Sequence, residues 1–351
     1  MPTRPHPWAT AFLLTLTLVL GILLVTITAM NLLGADRWWF GVLNLYLPQV
    51  IWAAPGLFLT VSMLIVNRRW IWAPLLCVAW VFGPLMGLCW SPPLSMGRGE
   101  TTVRVMTCNV KFGSRDISSL RADIDRYRPD LVLLQDATGM MNSPLDDYFR
   151  DWYVRYYGQF VIASRAPLED AEVEWLNFPG QVERQACLRC RINVAGTVIT
   201  FYNVHLHSPR EALSEVWADL RRPRFFSYAI NHLENNAAAR LIQARTLGTL
   251  LRRETGAVMV AGDLNAPDTS QVCAILRDVG LKDAFAERGR GYGYTYGHFL
   301  LPGPPWLPRF SFIRIDHIMT TSQMQAVRCW TGNADASDHR PVFADLVVKR
   351  N

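Results

Sequence analysis

Ser337-Asp338-His339-Arg340-Pro341, followed by the apolar run Val342, Phe343, Ala344 and Leu346 to Val348, decides how the chain is read. An ionisable pair just ahead of a buried strand sits at its mouth, where side chains are held rigidly while facing solvent. Catalytic groups take such positions, and so does a polar turn with a surface histidine. The choice between the two rests on whether other strands of the chain also end in polar groups.

They do. Val103, Val105, Thr107 and Asn109 share one face of a strand, with Asn109 at its C-terminal end. Ile117, Leu120, Ile124 and Tyr127 follow at helical spacing, and Arg128-Pro129-Asp130 closes that helix before the apolar strand Leu131 to Leu134. Gln135 and Asp136 stand directly after it, the carboxylate being either a metal ligand or a turn-former. Cys187 to Ile192 and Val198 to Val204 read as a hairpin around Ala195-Gly196, and its second arm runs into His205-Leu206-His207. Asn235 to Arg253 carries a helical apolar pattern, and the strand Val258 to Ala261 then opens through Gly262 into Asp263-Leu264-Asn265. A carboxylate and an amide at i and i+2 point to the same side, suiting a phosphate and its attacking water as well as an Asx turn. Arg314-Ile315-Asp316-His317 adds one more such strand end. The convergence of these polar ends, rather than any single tripeptide, argues for a site.

The first hundred residues are of another kind. No charged side chain lies between Arg4 and Asp36, between Arg37 and Arg68, or between Arg69 and Arg98. Each run exceeds the ~20 apolar residues that a spanning helix needs. Spans are expected over Trp8 to Leu33, Leu47 to Val66 and Ile71 to Trp90, with tryptophans near their ends as interfacial anchors. A cleaved signal peptide fits less well, since the first apolar stretch is long and no small-x-small site follows it. With Arg4 and Arg68-Arg69 on the cytoplasmic side, three spans place the rest of the chain outside. This predicts a membrane region over residues 1–92, a linker over 93–100 and a catalytic domain over 101–351. It also predicts an integral protein of a bacterial inner or cell membrane, with the lipid bilayer as a partner.

Five Arg against one Asp and one Glu in the first 100 residues account for half of the net +6, leaving +3 over residues 101 to 351. That surplus is modest for a general nucleic-acid binder. Cys187-Leu-Arg-Cys190 has zinc-like spacing without a second pair, and a strand would put its thiols on opposite faces, so both are expected to be buried structural residues.

In the order Thr-Cys-Asn109, Leu-Gln-Asp136, Asn-Val-His205-Leu, Gly-Asp263-Leu-Asn265, Arg-Ile-Asp316 and Ser-Asp338-His339-Arg-Pro, residues 101 to 351 resemble the endonuclease/exonuclease/phosphatase superfamily. That superfamily includes pancreatic-type deoxyribonucleases, inositol polyphosphate 5-phosphatases and neutral sphingomyelinases. The resemblance implies a four-layer α/β sandwich, two β-sheets between helices, with a phosphohydrolase site dependent on Mg²⁺ or Mn²⁺. It implies that Asn109, Asp136 and Asp338 form the metal shell and that His339 is the general base, oriented by Asp316. His205 would serve the leaving oxygen, Asp263 and Asn265 the water and phosphoryl oxygens, and Arg165, Tyr296 and Arg314 the substrate. The family usually has Glu where this chain has Asp136, and the shorter side chain makes water-mediated coordination the expectation.

With its N-terminal spans, the chain looks like a membrane-anchored bacterial branch that includes glycopeptide-resistance-associated proteins. This points to a phosphoester, phosphodiester or pyrophosphate in a lipid-linked substrate. The alternatives are an extracytoplasmic nuclease and an inactive membrane-anchored binding module. Residues 221–228 and 299–310 mix aromatic groups with Arg, as segments at a lipid interface do.

Overall fold

The computed structural model describes residues 7–92, 94, 100–113, 117–138, 147–176, 186–219, 226–298, 310–333, 335 and 337–349. Most of the linker and of the two aromatic stretches, 221–225 and 299–309, lies outside the described residues. The chain divides into two compact units, Met1–Leu88 and Cys89–Asn351.

In the first unit, the helix Pro7–Leu33 and the helical stretch Gln49–Trp70 are long and apolar enough to cross a membrane. Leu20, Leu24 and Ile27 pack against Leu59, Met63, Cys77 and Val81, while Leu18, Phe58 and Ile65 point outward. Gly56 permits this close approach, because a Cβ there would lie 2.9 Å from the Val78 side chain. Buried polar groups find partners: Asn44 Nδ2 donates to Asn31 Oδ1 at 2.9 Å, and the Thr17 hydroxyl to Leu13 O at 2.8 Å. The third expected span is shortened. Its helix covers Trp72–Leu85, about 21 Å at 1.5 Å per residue against a ~30 Å hydrocarbon core. Pro84 lies in its last, widened turn, Gly87 turns the chain at φ +68, and Cys89–Trp90 is a strand of the second unit.

That unit begins with β1 (Cys89–Trp90), β2 (Thr101–Asn109), β3 (Leu131–Gln135), β4 (Tyr153–Tyr157) and β5 (Phe160–Ser164). It continues with β6 (Leu168–Trp175), β7 (Ala186–Val194), β8 (Thr197–His205), β9 (Ala257–Asp263) and β10 (Lys282–Asp283). The last strands are β11 (Arg290–Gly291), β12 (Asp316–Thr320), β13 (Met324–Thr331) and β14 (Val342–Val348). β1 pairs with β11, and the remaining strands form two six-stranded sheets, β13-β14-β2-β3-β5-β4 and β10-β12-β9-β8-β7-β6.

The apolar pattern explains the layering. Val103, Val105, Leu131, Leu133 and Ile162 of one sheet meet Cys190, Ile199, Phe201, Met259 and Ile318 of the other in the inner core. Residues of opposite parity face outward: Met106, Cys108, Val132 and Leu134 lie under Leu120 and Ile124 of the helix Ile117–Tyr127. On the far side Tyr202, Val204, Val258 and Val260 pack with Leu241, Leu247 and Leu251 of the helix Phe226–Leu251 and with Val272 and Leu276. The second unit is thus an α/β arrangement of helix, sheet, sheet and helix. Cys187 and Cys190 fall into the outer and inner cores respectively, as the strand periodicity predicts, and all seven cysteines are free. Ala195 and Gly196 turn the β7–β8 hairpin with φ of 50 and 88, the geometry that fits the strand twist.

Candidate functional site

Register gathers the polar strand ends at one edge of the two sheets. In the first sheet β2 and β3 run parallel with Asn109 opposite Gln135, and antiparallel β14 pairs Val342 with Thr107, setting His339 just beyond the same edge. The second sheet repeats the plan. Parallel β8 and β9 pair His205 with Asp263, and antiparallel β12 pairs Asp316 with Asp263. Gly262 makes this possible. Its φ is 145, and a Cβ there would lie 1.9 Å from Val204 O on β8, so only glycine lets the two strands close.

Asp263 is the hub. Its Oδ1 accepts the Asn265 N–H at 2.8 Å, and its Oδ2 accepts Asn109 Nδ2 at 3.0 Å and Asn265 Nδ2 at 3.3 Å. His205 Nε2 and His339 Nε2 stand 3.5 Å and 3.8 Å from the same oxygen. Burial pushes the Asp263 carboxyl above its usual range, opposed by the two histidines. His205 is fixed from behind by Gln159 Oε1, 2.5 Å from its Nδ1.

The dyad lies beside this hub. His339 Nδ1 is 2.9 Å from Asp316 Oδ2 and 3.1 Å from Oδ1. An ionised carboxylate only accepts, so Nδ1 carries a proton, and it is in the neutral ring that Nε2, the atom nearer Asp263, has a free lone pair. Burial alone would lower the His339 pKa, but Asp316 and then Asp263 raise it to about 9. His339 is 5% exposed, which corrects the expectation of a solvent-facing base. The Tyr296 ring covers it at a centroid distance of 4.8 Å.

Asp338, next in the chain, is turned to a different set of groups. Its Oδ2 accepts Lys111 Nζ at 2.5 Å and Arg210 Nη2 at 2.9 Å, and Arg210 also reaches the Tyr296 hydroxyl at 3.0 Å. Burial would raise the Asp338 carboxyl, but His339, Lys111 and Arg210 hold it below its ordinary range. Neither Lys111 nor Arg210 was legible as a site residue in the sequence. Nothing in the strand pattern announces them, since Lys111 lies in the turn after β2 and Arg210 opens the helix Arg210–Asp219 that follows β8.

The three residues of the expected metal shell have different partners. Asp338 Oδ2 accepts from two protein cations. Asp136 keeps a carboxylate that is 24% exposed and 3.7 Å from His205 Nδ1, beyond hydrogen-bond distance. Asn109 Oδ1, which accepts the Lys111 N–H at 3.0 Å, retains a second lone pair. These hard oxygen donors fit a cation of the Mg²⁺ or Mn²⁺ type. Asp263, Asp316 and His339 also form an acidic cluster with ligand atoms within 4.8 Å of one another.

Tyr296 is in the site, and two other expected substrate residues are not. Arg165 lies at the opposite end of the sheet, where its Nε donates to Pro129 O at 3.2 Å and its guanidinium stacks 4.3 Å from the Trp152 ring. Arg314 is buried with Asp283 at 2.8 Å and Asp268 at 3.0 Å. His317 completes that second group, its Nδ1 2.7 Å from Asp283 and its Nε2 3.0 Å from Ala266 O. Two cations neutralise two carboxylates there, which accounts for the cluster as structure.

Comparison with known proteins agrees with this arrangement. The sequence pattern described as the Endonuclease/Exonuclease/phosphatase family matches residues 106–339. No curated protein matches the chain. Among solved structures, the chain is similar to the endonuclease/exonuclease/phosphatase from Bacteroides vulgatus, at 19% identity and a TM-score of 0.53, covering 71% of this chain and 100% of that one. A Bacteroides thetaiotaomicron family protein gives 16% and 0.51 over 72% and 99% of the two chains. The protein from Beutenbergia cavernae DSM 12333 gives 18% and 0.50 over 71% and 72%. At these identities the structural likeness speaks for the fold, and the matched pattern, spanning more than half of the sequence, carries the assignment: the chain belongs to the endonuclease/exonuclease/phosphatase family.

Proposed function

We propose that this protein is a membrane-anchored, divalent-metal-dependent phosphohydrolase that cleaves a phosphoester, phosphodiester or pyrophosphate bond of a lipid-linked substrate with water activated by His339. The buried His339–Asp316 contact at 2.9 Å, opening onto Asp263, is the observation that carries this reading. Asp316 holds the Nδ1 proton and stabilises the imidazolium, so His339 Nε2 takes the proton of the attacking water. The water oxygen bonds to phosphorus as the bond to the leaving oxygen breaks. His205, steadied by Gln159, gives that oxygen its proton. Asn109, Asn265 and Asp263 fix the phosphoryl group and the water. A divalent cation at Asp136, with Asn109 beside it, would supply positive charge to the phosphoryl oxygens.

Two long apolar helices with outward-facing Leu18, Phe58 and Ile65 support the anchor. We place the second unit on the outer side, with Arg68 and Arg69 inside and the short third helix crossing a locally thinned bilayer. Intact dyad geometry disfavours an inactive module, and the +3 charge disfavours a nuclease. The test is product release by the full-length protein with Mg²⁺ or Mn²⁺ on lipid phosphates, soluble phosphate esters and plasmid DNA. Cleavage of DNA alone would refute the lipid reading, and no turnover of any of them would refute hydrolysis. A periplasmic-type alkaline-phosphatase reporter fused after residue 100 should be active, and a silent, well-expressed fusion would overturn the orientation.

A further inference from the structure

Three contacts of the site each cross from one sheet to the other. Asn109 Nδ2 of β2 donates to Asp263 Oδ2 of β9 at 3.0 Å, and His339 Nδ1, ahead of β14, lies 2.9 Å from Asp316 Oδ2 of β12. Gln159 Oε1, in the turn between β4 and β5, lies 2.5 Å from His205 Nδ1 of β8. Alignment of the reacting groups therefore depends on where one sheet lies on the other. The backbone ladders run within each sheet and leave that placement open. The apolar inner core sets the spacing of the sheets, but apolar contact is non-directional, and a core of the right size and pattern loses uniqueness before it loses stability.

A layer of directional bonds lies directly beneath the site. Along the inward faces, Val103 and Val105 give way to Thr107 and then Asn109, Leu131 and Leu133 to Gln135, and Ile199 and Phe201 to Asn203 and then His205. Thr107, Gln135 and Asn203 are all 0% exposed. Gln135 Nε2 donates to Thr107 Oγ1 at 2.9 Å in its own sheet and to Asn203 Oδ1 at 2.6 Å in the other. Asn203 Nδ2 returns the link, donating to Leu134 O at 3.0 Å and to Val161 O at 3.3 Å. The two amides thus tie β8 to β3 and β5, at positions next to Asp136 and two residues from His205. A sliding sheet would leave these amides buried without partners, which is costly, so the layer opposes lateral movement where apolar contact does not.

We propose that Gln135 and Asn203 are positioning residues, whose bonds across the sandwich lock the lateral placement of the two sheets and so keep the two halves of the site in register. This deepens the hydrolase reading and rests on it for the effect on rate.

The experiment uses full-length protein in detergent, as wild type, Gln135→Met, Asn203→Leu, the double variant and Ile162→Ala. Ile162 packs in the same inner core through apolar contact, so its truncation is the control for lost stability alone. Thermal unfolding is recorded for each. Turnover with Mg²⁺ is measured on phosphatidate, glycerol 3-phosphate, phosphatidylglycerol and plasmid DNA. The ring ¹⁵N shifts of His339, assigned by their loss in His339→Gln, report its contact with Asp316 without substrate. Because a misplacement of ~1 Å costs on the order of 10²-fold, Gln135→Met and Asn203→Leu should each lower kcat at least tenfold and leave KM nearly unchanged. Both should also move the His339 shifts. The double variant should fall no further than the worse single one, since both remove the same link. Ile162→Ala should keep the kcat and the shifts of the wild type even where its melting temperature falls as far. Should a Met or Leu variant fail to fold, Thr107→Val, which removes one acceptor of the layer and keeps its shape, is read in the same way. Wild-type kcat and shifts in the folded layer variants, or equal losses in Ile162→Ala, would overturn the proposal. Turnover of none of these substrates by the wild type would instead sink hydrolysis, and the His339 shifts would still decide whether the layer positions the site.

Discussion

Replacing Asp316 by asparagine keeps the shape of the side chain and removes the charge that sits 2.9 Å from His339 Nδ1. With its pKa raised to about 9, His339 is only about 1% neutral at pH 7, so turnover by the wild type should climb roughly tenfold per pH unit and level off near pH 9. The rise from an ordinary 6.5 to about 9 corresponds to about 3 kcal/mol of net differential stabilisation of the imidazolium, left after burial has opposed the charge, with Asp316 the largest of the raising causes and Asp263 and Asp338 sharing in it. Asp316→Asn should therefore move the limb down toward 6.5 or below. An amide in that place no longer fixes the Nδ1 proton, so the plateau rate should fall ~10²–10⁴-fold. The assay is a pH–rate profile from 5.5 to 10 at one fixed Mg²⁺ concentration for wild type and variant, with folding checked by circular dichroism. A folded variant whose limb does not move, or whose plateau stays within a few-fold of the wild type, would refute the dyad.

Asp136→Glu should tighten metal binding and lower the Mg²⁺ concentration for half-maximal activity, and Asp136→Ala should raise it; identical midpoints in a metal titration would remove Asp136 from the metal site. Gly262→Ala forces a Cβ to within 1.9 Å of Val204 O at a φ of 145, and should cost at least ~3 kcal/mol in thermal unfolding; a loss under ~1 kcal/mol would show that β8 and β9 can part. Asp283→Asn breaks a buried group that includes Arg314 and His317, for which ~3–5 kcal/mol is expected. The pH dependence of stability tests the same group. Burial opposes the charge on His317, but Cys273 and the hydrogen bond to Asp283 raise its pKa to about 10, so its contribution is complete below pH ~6.5 and lost as pH rises through 10. Burial likewise opposes the Asp283 charge while Arg314 and His317 hold its carboxyl below the ordinary range, so its contribution is present above pH ~4 and lost as pH falls below that. Stability of the wild type that stays level between pH 7 and 10 would count against the ion pair.

Periodicity and strand-end chemistry made much of this protein legible before any coordinates. The alternation that sets Val103 and Val105 inward and Met106 and Cys108 outward is a local property of an extended backbone, as is the placing of Asn109, Asp136, His205 and Asp263 at strand ends. Which ends meet is a matter of register between distant strands. The Asp316–Asp263 and His205–Asp263 pairings exist because β12 and β8 flank β9. Charge partners obey the same limit: Lys111 and Asp338 are 227 residues apart in sequence, and no local pattern links them. Arg314 and Arg165 read as substrate groups because a basic residue near a strand end has two ends of a sheet and two faces open to it. Packing alone sent one to Asp283 and the other to Trp152. Hydropathy likewise marked Ile71 to Trp90 as apolar throughout, yet where its helix stops depended on Pro84, Gly87 and the pairing of Cys89 with Gly291. The sequence by itself determined the layers, the strand ends and the residue types of the site. Tertiary structure decided the burial of His339, the partners of Asp338 and the length of the third helix, because each depends on free energy contributed by residues far away along the chain.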